Sequence, residues 1–542
     1  MRIAVFLLTT LIILASFLQP AWQFIRPAGV DGPLSAGGVM LAIMPKDDKN
    51  TFNITLDMPE DTPIEITDRV AREFGALAGA HPLVANYLTY VGIPAVIDFA
   101  GQIRGNNNRR GPHVAELSVN LIDKQLRDTK SMEVVRELRV AAEPLKHRYP
   151  GLDVRFVESP PGPPTRATVL AEIYGPDPEV LRRAAALVRE RFERTYMMVD
   201  VFDTQTADIP RLDIRVDKEK AVLSGVTTSA IEHSLQSLMD GRVVSQAHIP
   251  GEKTPVPILI KVPRSLAIDP TLLDRIHIDN TAGERVPLSE LTRVEPGHHD
   301  RPILRKDNER VTYVGGELTD SAPVYAILAM DPDLDGLDLG GGNVLHTDNI
   351  TLQPVLPSTL DGYKLLWDGE LRLTLDAWGE MAVVLGAAVL FIFLLLVGTY
   401  QSFIIPLVAM TSIPLGLAGI FPGHWLLGIP FSMASAIGTV ALAGVVIRNA
   451  LLIIDFIRDY QRQGKPLEEA VRLAGAVRFR PILLTAVTVI LGTLVMYTDP
   501  LFAGLATSLI FGTTASTVLT LLILPSLYYQ LATRHPRWFL TD

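Results

Sequence analysis

The sequence predicts a membrane α-helical protein of six transmembrane helices carrying a large α+β domain outside the bilayer. Three observations predict it. Apolar stretches of spanning length stand near the start and through the last 160 residues. Residues 27–375, between them, read as an ordinary soluble sequence. Within that region, strand-like alternation and helical spacing follow one another in a repeated order.

Crossing roughly 30 Å of hydrocarbon takes about 20 apolar residues. The first candidate is IAVFLLTTLIILASFL (3–18), short of that length and dependent on its flanks. Residues 1–20 can also be read as a cleaved signal peptide with Arg2 as its n-region, although no clean small-x-small cleavage site follows. Further spans are read at 381–400, 403–421, 432–457, 481–498 and 505–529. The short loop 458–480 holds Arg458, Arg462, Lys465, Arg472, Arg478 and Arg480, and the tail holds Arg534 and Arg537. Loops 422–431 and 499–504 hold no Lys or Arg. The positive-inside bias therefore makes 458–480 and both termini cytoplasmic and exports residues 27–375.

The exported region contains two similar sections. TFNITLDM (51–58), VANYLTYVG (84–92), AELSVNLI (115–122) and LDVRFVES (152–159) alternate as strands. Residues 62–77 and 131–145 have helical spacing, giving β-α-β-β-α-β, the ferredoxin-like split βαβ order. PPGPPTR (160–166) is a linker, because successive prolines continue neither a helix nor a central strand. A second cycle opens with ATVLAEIYG (167–175) and a helix at 178–194, and its closing half lies near 301–318. An insertion at 213–298, with its own strands and a helix at 227–241, separates the two halves. The domains expected are thus 1–26, 27–162, 163–212, 213–298, 299–375 and 376–542.

Composition excludes several function classes. With a net charge of -10 and no basic stripe interleaved with aromatics, nucleic-acid binding is not expected. The chain has no cysteine, hence no disulfide or thiol chemistry. No GxxxxGK[ST] phosphate loop, GxSxG elbow or HExxH motif occurs, so neither ATP-driven nor hydrolytic chemistry is indicated. His113, His233, His248, His298 and His299 lack a second ligand at a recognisable spacing, and no metal site is expected.

The fourth apolar stretch contains Arg448 and Asn449. Counted from residue 457, Arg448 lies roughly 12–14 Å deep at 1.5 Å per residue. A guanidinium there costs about 2.5–3.5 kcal/mol, so it should pair or line a polar cavity. The other reading is that it snorkels to water along its own stem. Asp455 lies on the same helix face but close to the cytoplasmic surface, and no other carboxylate of this chain is well placed to pair with it.

Several longer stretches carry a resemblance: VMLAIMPKDDKNTFNITLDMPEDTPIEIT (39–67), LLWDGELRLT (365–374) and IPLGLAGIFPGHWLLGIPF (413–431). IGTVALAGVVIRNALLIIDFI (437–457), AGAVRFRPILLTA (474–486) and DPLFAGLATSLIFGTTASTVLTLLILPSLYY (499–529) extend it over essentially the whole chain. The sequence resembles the resistance-nodulation-division (RND) efflux permeases of the acriflavin-resistance, hydrophobe/amphiphile type. Members usually have twice this length, and the chain is similar to the C-terminal half only. The resemblance implies a proton-driven exporter of small amphiphilic or hydrophobic compounds in the bacterial inner membrane, with a periplasmic porter domain and an inserted docking domain. The proton-motive force would drive it without a cofactor. Arg448 and Asn449 match the basic span that faces a proton-binding aspartate pair, so a partner N-terminal-half chain would supply those aspartates. Thr485 and Arg478 would join the relay, unless Thr485 only bonds back to its own helix and Arg478 is a plain positive-inside charge. The loop 90–111 matches a flexible flap and pocket wall, which implies substrate contacts from Ile97, Phe99 and Arg104; an ordinary surface loop with Phe99 in a local core is the competing reading. A trimer, a periplasmic adaptor and an outer-membrane channel are the implied partners besides lipid. A SecD-like protein-export auxiliary and a truncated, non-transporting membrane protein are the alternatives.

Overall fold

A computed structural model of the chain describes residues 2–25, 36–158, 162–251, 254–263, 271–319, 321–536 and 539. Residues 27–35, Pro160 and Pro161 of the linker, and Arg537 of the tail lie outside the described residues. The chain forms two compact units, Met1–Gln205 with Ile303–Asp542, and Thr206–Pro302.

Helix α1 (Arg2–Ile25) opens the larger unit. The first lobe follows as β1 (Thr51–Asp57), α2 (Ile64–Gly79), β2 (Val84–Val91), a short α3 (Phe99–Arg104), β3 (Val114–Leu121), α4 (Ser131–Arg148) and β4 (Asp153–Glu158). Its strands lie in the order β2-β3-β1-β4, every pair antiparallel. Alternation along β1 sends Phe52, Ile54 and Leu56 to one face, where they meet Val70, Phe74, Val134 and Leu138 of the two helices. Asn53, Thr55 and Asp57 take the opposite face.

The second lobe begins with β5 (Val169–Tyr174), α5 (Pro178–Glu193) and β6 (Met198–Asp203). Asp177 caps α5 by accepting the N–H groups of Glu179 and Val180, and Pro178 occupies the first helical turn, where its missing donor costs nothing.

The insertion then forms its own unit. It comprises β7 (Pro210–Val216), α6 (Lys218–Leu223), α7 (Thr228–Met239), β8 (Arg242–Ala247), β9 (Val256–Ile260), β10 (His277–Asp279), β11 (Arg285–Pro287) and β12 (Thr292–His298). The unit is wider than 213–298. Strand β7 begins at Pro210 and pairs with β12 as far as His298, so the break falls outside both strands.

The second lobe resumes with β13 (Arg305–Lys306), β14 (Glu309–Leu318), α8 (Pro323–Leu334), β15 (Leu337–Gly340), β16 (Asn343–Asp348) and β17 (Tyr363–Gly369). Within its sheet the neighbours β6-β14-β5-β17 repeat the strand order of the first lobe. The β15–β16 hairpin extends that sheet by a parallel pairing of β16 with β17, an addition the sequence pattern did not announce. Trp367 is fully buried, stacks on Phe192 and donates Nε1–H to Asp331 at 2.8 Å.

Among the described residues, five helices are long and apolar enough to cross a membrane: α9 (Glu370–Tyr400), α10 (Ile404–Leu427), α11 (Met433–Arg462), α12 (Leu467–Thr498) and α13 (Pro500–Arg534). The remaining expected span falls on α1, whose described apolar part, Leu7–Trp22, is shorter. Two differences from the sequence reading share one cause. Helix α9 leaves β17 directly at Glu370, before the 375/376 boundary, and the supposed loop 458–480 consists mostly of the ends of α11 and α12. Apolar windows mark only the lipid-length part of a helix. Backbone bonding continues into water, helped here by the Lys465–Glu469 pair one turn apart.

Candidate functional site

A cleft of about 570 Å³ lies in the larger unit, lined by both lobes and by the ends of membrane helices. Met40, Met44, Met132, Phe156, Leu318 and Ile429 give it an apolar wall. Charge is set among them. Lys46 pairs with Glu158 at 3.1 Å, and Arg104 donates to the Glu158 carbonyl at 3.3 Å. Glu317 is held by the Thr168 hydroxyl, and the backbone N–H of Glu370 donates to the Thr168 carbonyl at 3.1 Å. The lining therefore offers thioether and aromatic contacts beside opposite charges.

The back of the cleft is stitched across the lobes. Arg139 reaches Asp200 through two N–H groups at 2.7 and 3.3 Å, and the same carboxylate accepts the Phe156 N–H at 2.9 Å. Arg189 bridges Asp153 and Asp203, each at 2.9 Å. Arg155 lies over the Phe202 ring at 4.5 Å and pairs with Asp57 at 2.5 Å. Burial pushes the Asp57 carboxyl up, but Arg155 and Arg109 together pull it further down, leaving it below its ordinary value. On the second lobe's sheet, Lys306 donates to Glu172 and Asp368 at 2.8 Å, and Tyr174 donates to Glu172 at 2.8 Å. Burial, then the Asp368 charge, push Glu172 up to about 7 against the pull of Lys306.

Of the residues expected to touch substrate, Arg104 lines the cleft, whereas Ile97 is half-buried and outside its lining. Phe99 is 67% exposed, so the local-core reading of it fails. The segment around it is bonded locally. Asp98 caps α3 through the Gly101 N–H at 2.7 Å, and Gly105 ends the helix at φ +81. Asn106 then bonds Glu116 at 3.4 Å, and Arg109 pairs with Asp57 at 2.5 Å. Apart from Arg104, the cleft's charges were missed. Lys46 and Glu158 are far apart in sequence and carry no spacing signal.

In the membrane helices, Arg448 stands at the midpoint of α11 and is exposed. It makes no hydrogen bond or ion pair with the described residues. It belongs to an outward stripe with Ile437, Ala441 and Gly444, spaced three or four residues apart. Asn449 points the other way and is 4% exposed, with its Oδ1 unpartnered. Thr485 donates back to the Ile482 carbonyl at 2.8 Å, and Arg478 lies over the Phe456 ring at 3.7 Å. Asp455 accepts the Tyr400 hydroxyl at 2.8 Å, so it is engaged with α9. Neither Thr485 nor Arg478 is bonded to Arg448 or Asn449.

Residues 37–532 match the AcrB/AcrD/AcrF family. The chain belongs to that family. Its members are transporters of the RND efflux class, which puts aside the SecD-like reading. A similar relative in this class is the cobalt-zinc-cadmium resistance protein CzcA of Cupriavidus metallidurans, 29% identical over 387 residues, covering 70% of this chain and 34% of the relative. Multidrug resistance protein MdtC of Pectobacterium carotovorum is 23% identical over 455 residues, covering 82% and 41%. The crystal structure of a heavy metal efflux pump superposes with a TM-score of 0.75 at 20% identity, over 98% of this chain and 50% of the pump, and so shares the fold. The chain spans half or less of each of these RND proteins.

Proposed function

We propose that the chain is one half of a proton-driven efflux transporter of the bacterial inner membrane, completed by a second half that faces Arg448 with carboxylates. The observation that carries this is the exposed, unpaired guanidinium at the midpoint of α11. A lone cation at that depth is costly, and a partner helix seated on the Ile437–Ala441–Gly444 stripe would cover it. Small residues on that stripe let another backbone come close. Paired acids there would be held by Arg448 when ionised and released on protonation, giving two arrangements of the helices between which proton binding selects. Arginine keeps its own proton throughout, so it acts as the fixed counter-charge.

The substrates we propose are small amphiphilic or hydrophobic compounds, taken up in the cleft beside Arg104. The cleft's mixed lining supports that reading. The names of CzcA and of the solved pump favour metal ions instead, and the Met40, Met44 and Met132 thioethers supply a specific observation for that second reading. Trimeric assembly with an adaptor and an outer-membrane channel belongs to the same proposal.

Affinity purification of the chain from its native membrane, followed by intact mass measurement, tests it. A stoichiometric second membrane polypeptide with paired aspartates in a helix is expected. Recovery of this chain alone, with no efflux from cells that produce it, overturns the reading in favour of a non-transporting protein. Export of dyes and of cobalt, zinc or cadmium by the same cells separates the two substrate classes.

A further inference from the structure

Helix α13 carries six threonines, and they behave in two ways. Thr507, Thr514 and Thr533 donate back to carbonyls of their own helix at 2.7–2.8 Å, the usual habit of a hydroxyl in lipid. Thr513, Thr517 and Thr520 are buried, and their hydroxyls have no partner among the described residues. Across from them, the buried Asn449 leaves Oδ1 unpartnered as well. A Cβ on Gly512 would strike Leu442, which fixes the register of the two parallel helices. Two turns further along both, Asn449 comes level with the stretch between Thr517 and Thr520. A buried polar group left dry and unpaired carries its full desolvation penalty, which a bridging water removes.

We propose that this seam between α11 and α13 is an outer half-channel, a file of water running from the cleft to the depth of Arg448. Its mouth is polar. Tyr497, which lines the cleft, shares a hydrogen bond of 3.0 Å with Thr507, and Ser508 donates to the Ser435 carbonyl at 2.9 Å. From Ser508 to Thr520 the helix descends about 18 Å, near half of a bilayer. The free hydroxyls recur every three or four residues, about 5–6 Å apart, a gap that one water bridges. The inner end is closed by Ile453, Ile454 and Leu524, all in one apolar cluster. A hydroxyl or water accepts a hydrogen bond on one side and donates on the other, so a proton can pass inward with no side chain left ionised. Its use as a proton route rests on the half-transporter reading; its hydration does not.

The chain has no native cysteine, so single thiols report cleanly. Thr513→Cys, Thr517→Cys and Thr520→Cys are made in the full chain, reconstituted in lipid nanodiscs and exposed to silver ions. Leu524→Cys, further down the same seam, is the comparison. Loss of the free thiol at the three threonine positions and its retention at 524 are expected. Equal protection at all four positions overturns the half-channel, and equal reaction at all four overturns the inner closure. Should the variants not fold, hydroxyl-radical labelling of the unaltered chain decides. Leu442, 2% exposed beside Gly512, is expected to be labelled and Leu524, 1% exposed, is not. An unlabelled Leu442 would sink the proposal. No transport is needed for either readout, so a dry seam and a missing partner half are told apart.

Discussion

Single side chains carry two predictions. On the half-transporter reading, Arg448→Ala removes the guanidinium at the midpoint of α11 without touching any hydrogen bond among the described residues, so membrane insertion and amount of protein should be unchanged while efflux is lost. Arg448→Lys, which keeps the charge, should retain part of it. Efflux at the wild-type level by the alanine variant, in cells containing the partner, would remove Arg448 from the mechanism. The second concerns Glu172. In the folded chain it holds its proton up to about 7, against an ordinary value of 4.5. Between those values the folded state binds more protons than the unfolded one, so stability is full below about 4.5 and is lost as pH rises through about 7. Glu172→Gln should flatten that part of the melting-temperature profile, and an unaltered slope would show that another group sets it. Both residues were accessible from sequence to different degrees. Arg448 stood out because a charge interrupted an apolar run. Glu172 did not, because one acid in an alternating strand gives no sign of which face it occupies or of Lys306 opposite.

At the scale of helices, glycines separate contacts made within the chain from a face left open. A Cβ on Gly419 of α10 would land on the Phe511 carbonyl and Ala515 of α13. A backbone atom cannot swing aside, so Gly419→Ala should destabilise by about 1–3 kcal/mol, read as a lowered melting temperature. A Cβ on Gly444 of α11 meets nothing. Gly444→Leu should therefore leave the isolated chain as stable as before, yet block recovery of the partner half in purification. Retained co-purification would move the partner to another face. The helices themselves were legible as apolar windows, with ends misplaced where charged turns prolong them. Which side of α11 faces inward was not legible, since Arg448 and Asn449 are adjacent in sequence and differ only in direction.

Across the larger unit, the two lobes are joined behind the cleft by arginine–carboxylate pairs. Asp200 is the centre of that seam. It binds Arg139 through both oxygens, accepts the Phe156 N–H, and adopts φ +53, a left-handed conformation that Asp and Asn tolerate better than most residues. Asp200→Ala leaves a buried guanidinium and N–H unanswered and should cost about 3 kcal/mol. Asp200→Asn, which keeps an acceptor and the backbone preference, should cost less. Equal losses by thermal unfolding would mean that the charge pairing, and not the acceptor, holds the lobes.

By itself the sequence determined what depends on local period and composition: the apolar windows, the two β-α-β-β-α-β sections, an insertion between the halves of the second, and the singular Arg448. Period is a property of neighbouring residues, and it survives without knowledge of the fold. Only the tertiary structure decided what depends on residues brought together from afar. Lys46 met Glu158, Arg139 met Asp200, and Asn449 came level with unpartnered threonines of α13 because sheet order and helix register placed them so. Those pairings rest on long-range geometry, for which no single stretch of the chain holds a signal.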